Sequence, residues 1–153
     1  MKQTVMLNQN SDFRRLYYKG VSRSHPYLVV YAKKNFLENN RIGITVSKKI
    51  GKAHLRNRAK RIIRAAYRQT ENSYPLGWDF VFVARTITTK LSTNDLVPVM
   101  EKSIKSLVAC NGKKAKKPYH PNKNWNFGAY EKVFYFFNQV LPKAHLMLHS
   151  AKV

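Results

Sequence analysis

Alternating apolar and polar positions predict two β-strands, at residues 27–34 and 41–47. Every second side chain in each segment is apolar, as in a sheet with one face against a core. The side chains predicted to face that core are Leu28, Val30, Ala32, Ile42, Ile44 and Val46. Those predicted on the opposite face are Tyr27, Val29, Tyr31, Arg41, Gly43, Thr45 and Ser47. The residues between the two segments favour a hairpin connection.

Two further segments favour strands for different reasons. Residues 21–25 directly precede Pro26 and suit a short first strand of the same sheet. Residues 78–85 carry an almost unbroken apolar run from Phe80 to Val83, which predicts a central strand covered on both faces.

Apolar residues spaced three and four apart predict three helices. The first spans residues 10–19, the second begins near residue 54, and the third follows residue 93. At about 100° per residue, the second helix has one apolar stripe, formed by Leu55, Ala59, Ile62, Ile63 and Ala66. Its opposite arc is basic. The predicted order is helix, strands, helix, strand, helix.

The second helix belongs to a segment, residues 48–68, that contains no carboxylate. Its cations are Lys48, Lys49, Lys52, Arg56, Arg58, Lys60, Arg61, Arg64 and Arg68. The whole chain carries 29 Lys and Arg against seven Asp and Glu, a net charge of +22. Like charges four residues apart destabilise an isolated helix by about 0.2–0.5 kcal/mol per pair, and phosphates would remove that cost. The pattern therefore favours a nucleic-acid partner over a merely solvated face.

Aromatic residues near the predicted sheet favour single-stranded nucleic acid. Tyr27 and Tyr31 are predicted to be exposed beside the sheet, and Phe13 and Tyr17 are suited to line an adjacent groove. Unpaired bases stack on such rings. Core packing explains Phe13 and Tyr17 equally well, whereas for Tyr31 we favour the binding role. No convincing partner helix completes a DNA-binding helix-turn-helix, so RNA is favoured over DNA.

Independent catalysis by this chain is not expected. The five histidines are dispersed, Cys110 is the only cysteine, and the few carboxylates form no obvious acid–base pair. We therefore predict no catalytic residue and no metal ligand. The first residues lack the apolar core of a signal peptide, and no window reaches the roughly 20 apolar residues of a membrane span. A cytoplasmic protein is expected, and a membrane is not expected as its partner.

The basic segment carries a resemblance to a known family. The stretch TVSKKIGKAHLRNRAKRIIRAAYR resembles the signature of the protein subunit of bacterial ribonuclease P, including Arg56, Asn57 and Arg58. NSDFRRLYYKG, YLVVY and DFVFVAR resemble the same family in the expected order, so the resemblance covers about residues 8–110. It implies an α+β two-layer sandwich of the ribosomal protein S5 domain 2-like type. Four strands would carry three helices, with a left-handed crossover between two parallel strands.

The resemblance also implies a function. The family's protein binds a catalytic RNA, and the holoenzyme is an endoribonuclease that removes the 5′ leader from precursor tRNA. The partners implied are the ribonuclease P RNA and precursor tRNA. Catalysis and the required Mg²⁺ would reside in the RNA, with no cofactor held by this chain. The alternative is a structural RNA-binding protein of the ribosomal type.

Matching the family's motif assigns two sets of residues. Contacts to the catalytic RNA and the substrate are expected from Lys48, Lys49, Lys52, Arg56, Asn57, Arg58, Lys60, Arg61, Arg64 and Arg68. A cleft for the single-stranded leader is expected to include Phe13, Tyr17, Tyr31, Lys60 and Arg64. In it the aromatic rings would contact nucleotides while the cations hold phosphates.

The C-terminal part of the chain exceeds the usual length of the family. We divide the chain into a domain at 1–111 and an extension at 112–153, in which a basic linker precedes an aromatic segment. Residues 129–141 favour a helix with apolar side chains on one side. Docking on its own domain or on a partner, a position on a membrane surface, and a tail without stable structure all stay open.

Overall fold

The computed structural model describes residues 4–110. The strands are β1 (Thr4–Met6), β2 (Val21–Ser24), β3 (Leu28–Lys34), β4 (Asn40–Thr45) and β5 (Trp78–Ala84). The helices are α1 (Asn10–Lys19), α2 (Ala53–Thr70) and α3 (Thr93–Cys110). Short 3₁₀ turns lie at Lys48–Ile50, Glu71–Ser73 and Thr86–Lys90. The predicted linker and aromatic segment, including the helix expected at 129–141, lie outside the described residues.

The five strands form one mixed sheet in the order β1-β4-β5-β3-β2. Strand β4 pairs in parallel with both β1 and β5, whereas β3 pairs antiparallel with β5 and β2. Strand β5 thus lies between β3 and β4, so the predicted hairpin between these two strands was wrong, because local alternation does not tell which strands pair. The α+β class with three helices is confirmed. The predicted count of four strands was one too low, because β1 has only three residues and is too short to produce an alternation signal.

The larger core lies between the sheet and helices α2 and α3. Strand β3 contributes Leu28, Val30 and Ala32 to it, as the alternation predicts. Helices α2 and α3 contribute Ile63, Ala66, Tyr67, Met100 and Ile104. Tyr27 packs against this same core, so its predicted place on the opposite face was wrong, because it precedes the start of β3 and its alternation.

Helix α1 packs on the other face of the sheet. Phe13 and Leu16 of α1 form a second buried cluster with Val29 and Tyr31 of β3 and Val81 of β5. Strand β5 is therefore buried on both faces, as its unbroken apolar run predicts. The two-layer description fits the larger core, and α1 adds a partial third layer.

A buried carboxylate fixes α1 and β4 to the centre of the sheet. Asp79 of β5 is 1% exposed, and Arg41 of β4 donates from Nε and Nη2 to its two oxygens over 2.7 and 2.6 Å. Arg15 reaches Asp79 at 3.5 Å and Asp12 at 3.2 Å, and Arg41 also contacts Asp12 at 3.3 Å. The hydrogen bonds from Arg41 to Asp79 raise the guanidinium pKa above its usual range.

No helix within residues 4–110 has both the length and the apolar character that crossing a bilayer requires.

Candidate nucleic-acid interface

Helix α2 separates an apolar face from a basic face. Its buried side chains are Ala59, Ile62, Ile63, Ala66, Tyr67 and Thr70. The exposed members of the predicted RNA-binding set are Lys48, Lys49, Lys52, Asn57, Arg58, Lys60, Arg61 and Arg68, and Arg56 and Arg64 are half-buried. The predicted apolar stripe is confirmed, except that Leu55 is only half-buried. The basic side chains therefore line the solvent side of one helix and the turn before it.

Four acids of the described residues, Asp12, Asp79, Asp95 and Glu101, have partners outside this basic face. Asp12 and Asp79 pair with Arg15 and Arg41, and Glu101 pairs with Lys105 on α3 at 3.6 Å. Asp95 accepts hydrogen bonds from Ser92, which lowers the pKa of its carboxyl. Within residues 4–110, no cation of the 48–68 segment forms an ion pair with a carboxylate. Those positive charges are thus uncompensated within the described fold.

Two of the predicted contact residues also hold the backbone in place. Arg56 donates to the carbonyl oxygen of Gly51 over 2.7 Å, which fixes the entry to α2. Gly51 has a φ of 128°, a conformation that a residue with a side chain rarely adopts. Arg58 donates from Nε to the carbonyl oxygen of Thr89 over 2.9 Å, linking α2 to the Thr86–Lys90 turn. Neither hydrogen bond could be predicted from a sequence pattern.

The aromatic residues of the predicted leader cleft come together on the α1 side of the sheet. Tyr17 and Tyr31 meet edge to face, with ring centroids 4.9 Å apart. Tyr31 is only 4% exposed and Phe13 8% exposed, so the prediction of an exposed Tyr31 was wrong. The reason is that α1 covers this face of β3. Tyr17 is half-buried and is the member of the three that reaches solvent.

The position of Phe13 depends on a glycine beneath its ring. Gly43 of β4 lies opposite Val81 of β5, which in turn lies opposite Tyr31 of β3. A methyl group at Gly43 would come within 2.6 Å of Phe13 Cζ and 3.2 Å of Val81 Cγ2. The absent side chain therefore makes room for the Phe13 ring on the sheet.

Gly43→Ala is expected to lower the free energy of unfolding by about 1–3 kcal/mol, because an added methyl overpacks this cluster. Urea denaturation measures the change. In a Phe13→Leu background the ring is gone and the Gly43→Ala cost should be smaller. An equal cost in both backgrounds would contradict the contact between Gly43 and Phe13.

The aromatic cluster adjoins the start of the basic segment. The hydroxyl groups of Tyr17 and Thr45 are 2.8 Å apart, and Thr45 is the last residue of β4. Two residues later, Ser47 Oγ accepts a hydrogen bond from the Lys49 backbone N–H and caps the turn that leads to α2. Lys60 and Arg64 extend from α2, a different element, and their grouping with the aromatic cluster stays a prediction.

The fold and the charge distribution define a small α+β protein with a surface suited to polyanions. A family model described as Ribonuclease P matches residues 1–108, most of the chain. The ribonuclease P protein component of Clostridioides difficile strain 630 is 43% identical over 107 residues, covering 69% of this chain and 90% of that protein. That of Clostridium acetobutylicum is 44% identical over 103 residues, covering 66% and 83%.

Solved structures agree with the sequence relatives. The RNase P protein of Staphylococcus aureus superposes with a TM-score of 0.58 at 35% identity, covering 66% of this chain and 93% of that one. The RNase P protein of Thermotoga maritima gives 0.57 at 29% identity, covering 62% and 90%. This chain belongs to the family of bacterial ribonuclease P protein subunits. The resemblance seen in the basic segment is thereby confirmed.

Proposed function

We propose that this subunit binds the catalytic RNA of ribonuclease P and the 5′ leader of precursor tRNA, and so assists the RNA in removing that leader. The observation that carries the proposal is the basic face of α2, whose charges have no carboxylate partner within the described residues. Phosphates are the partners that such a face lacks. Their binding releases counterions and relieves the repulsion between neighbouring cations.

Individual basic residues have different roles in this proposal. Lys60, Arg61 and Arg68 are exposed on α2 and would hold phosphates directly. Arg56 and Arg58 already donate to backbone carbonyls, so they would shape the surface and use their remaining N–H groups for RNA. Substitution of Arg56 would consequently disturb the loop at Gly51 as well as any RNA contact. The cleaner probe of phosphate binding is Arg64.

The leader would pass over the edge of the aromatic cluster. Since Tyr31 and Phe13 are buried, neither offers an open ring face to a base. We assign Tyr31 to supporting Tyr17, which it contacts edge to face. Tyr17 and the neighbouring Thr45 hydroxyl would then meet the nucleotides, with Lys60 and Arg64 holding the leader phosphates.

Phosphodiester hydrolysis is assigned to the RNA of the holoenzyme, together with the Mg²⁺ that the RNA requires. This chain would act by orienting the RNA and the leader, in the cytoplasm where precursor tRNA is processed. Its own contacts to the substrate would be electrostatic and aromatic, and none of its side chains would take part in the hydrolysis. The enzyme activity therefore belongs to the assembled particle.

Tyr17→Ala is expected to weaken the affinity of the holoenzyme for precursor tRNA by about tenfold, the effect of losing one stacked base. Affinity for mature tRNA, which has no leader, should not change. Tyr17→Phe keeps the ring and serves as the matched control. Equilibrium binding of the two tRNAs to the reconstituted holoenzyme measures the effect.

The experiment avoids Tyr31 for a physical reason. Tyr31→Ala would remove a buried aromatic side chain and lower the free energy of unfolding by about 3–5 kcal/mol. A loss of affinity in that variant could then come from unfolding as well as from a lost contact. An equal loss of precursor and mature tRNA in Tyr17→Ala would contradict a leader cleft at this position.

A further inference from the structure

The edge strand β1 and the residue after it send side chains to both faces of the sheet. Thr4 Oγ1 lies 3.3 Å from the hydroxyl of the buried Tyr67, and Met6 packs against the larger core. Leu7, the next residue, is 5% exposed and belongs to the cluster on the α1 face. Its backbone N–H donates to the Ile42 carbonyl oxygen over 2.8 Å, which continues the pairing of β1 with β4. Leu7 is therefore anchored by both its backbone and its side chain.

This anchor lies directly before helix α1. Only Asn8 and Gln9 separate Leu7 from the first residue of the helix, and the Gln9 side chain caps no backbone N–H of α1. Apolar packing between a residue just before a helix and residues of its first turns fixes the angle at which the chain enters the helix. Phe13 and Leu16 of α1 belong to the same buried cluster as Leu7. Leu7 therefore sets how α1 lies on the sheet.

The position of α1 decides where the Tyr17 ring lies. Phe13 and Tyr17 are four residues apart, so they lie on the same face of the helix. Tyr17 meets the Thr45 hydroxyl at 2.8 Å and the Tyr31 ring edge to face, and both of these partners belong to the sheet. A shift or rotation of α1 would consequently move Tyr17 away from both.

The basic face of α2 does not depend on this anchor. The buried apolar side chains of α2 belong to the larger core, and the cluster around Leu7 includes none of them. Residues 4–11 carry no charged side chain, so they offer no cation to a phosphate. An effect of Leu7 on substrate binding would therefore pass through α1 and Tyr17.

We propose that Leu7 is a positioning residue for leader binding, because it fixes α1 on the sheet and so holds Tyr17 where the 5′ leader of precursor tRNA passes. This inference rests on the proposed function, since it requires that Tyr17 meets the leader. Leu7 is buried and contacts no nucleotide itself. Strand β1 thereby contributes to substrate recognition, while α2 holds the ribonuclease P RNA independently of it.

The test measures equilibrium binding of precursor and mature tRNA to the holoenzyme reconstituted with the full-length protein. Leu7→Ala leaves a cavity beside α1, and its affinity for precursor tRNA is expected to fall by about three- to tenfold, no more than the loss in Tyr17→Ala. Its affinities for mature tRNA and for ribonuclease P RNA should not change. Leu7→Met nearly conserves the side-chain volume and should bind precursor tRNA as the wild type does.

Met6→Ala is the matched control, because Met6 is the neighbouring residue and packs against the opposite core. It should lower the Tm, as Leu7→Ala does, and leave the preference for precursor over mature tRNA unchanged. Equal losses of precursor affinity in the two variants would overturn the inference, since only the stability of β1 would then matter. If Leu7→Ala does not fold, Leu7→Val takes its place, and an unchanged precursor affinity in that variant would overturn the inference as well.

A double variant separates this inference from the proposed function. Leu7→Ala/Tyr17→Ala should bind precursor tRNA no more weakly than Tyr17→Ala alone, because Leu7 acts through the Tyr17 ring. Additive losses would overturn the positioning role and leave the proposed function standing. If Tyr17→Ala alone leaves the affinity for precursor tRNA unchanged, the leader cleft of the proposed function fails, and the inference fails with it.

Discussion

Asp79→Ala is expected to lower the free energy of unfolding by about 3–5 kcal/mol, because it removes the buried carboxylate that accepts two hydrogen bonds from Arg41 and leaves that guanidinium only its longer contact to Asp12. That cost is a large share of the roughly 5–15 kcal/mol that stabilises a typical domain. Asp79 is 1% exposed and accepts hydrogen bonds from Arg41 and Asn35. Its loss would loosen β4, the β3–β4 turn and, through Arg15, helix α1.

Denaturant unfolding of matched variants measures this effect. Glu101→Gln removes a carboxylate from an exposed pair with Lys105 and should cost less than about 1 kcal/mol. The double variant Asp79→Ala/Arg41→Ala should cost less than the sum of the two single changes, because the two side chains act on each other. If Asp79→Ala costs no more than Glu101→Gln, the buried network does not hold the fold together.

The double variant Lys60→Ala/Arg64→Ala is expected to weaken binding to ribonuclease P RNA by about a hundredfold. Each lost phosphate contact should also reduce the slope of log affinity against log salt by about 0.7–0.9, so the slope falls by about 1.5. Both residues lie on α2, and Lys60 is exposed. Removing like charges spaced four apart should not lower the Tm.

Lys102→Ala/Lys105→Ala is the matched control, because it removes the same two charges from a different helix, α3. Filter binding across a salt series compares the two variants. The control should keep an affinity and a salt slope close to those of the wild type. Equal losses in both variants would indicate that only the net charge matters and would contradict a defined RNA-binding face on α2.

Local periodicity explains what the sequence could predict. The apolar and basic faces of α2 follow directly from its 3.6-residue repeat, and the α1, β3, β4 and β5 segments follow from similarly local patterns. Strand β1 could not be found in this way, because three residues contain too little alternation. Its pairing with β4 depends on contacts between distant parts of the chain.

Burial on the α1 face depended on long-range packing. The alternation of β3 correctly separates Tyr31 from the larger core, but it does not say that α1 covers the other face. The apolar run of β5 held the missing signal. Val81 lies opposite Tyr31, and a central strand buried on both faces implies that its neighbours are covered there too.

The Asp79 network was also beyond the reach of sequence patterns. Its partners Arg15 and Arg41 are 64 and 38 residues away, so their pairing is visible only in the fold. A carboxylate inside an otherwise apolar strand was the available sign, since such a charge must find a partner. Asn35, which directly follows β3, also donates to this carboxylate, over 2.7 Å.

Cleavage of precursor tRNA by the ribonuclease P RNA of the same organism, with and without this full-length protein, tests the proposed function most directly. The assay is run at low Mg²⁺ and moderate salt, where RNA alone is limited by phosphate repulsion. We predict that the protein lowers the Mg²⁺ requirement and tightens the binding of leader-bearing substrate. Unchanged cleavage by that RNA, together with equal binding of the protein to unrelated RNAs, would contradict the proposal.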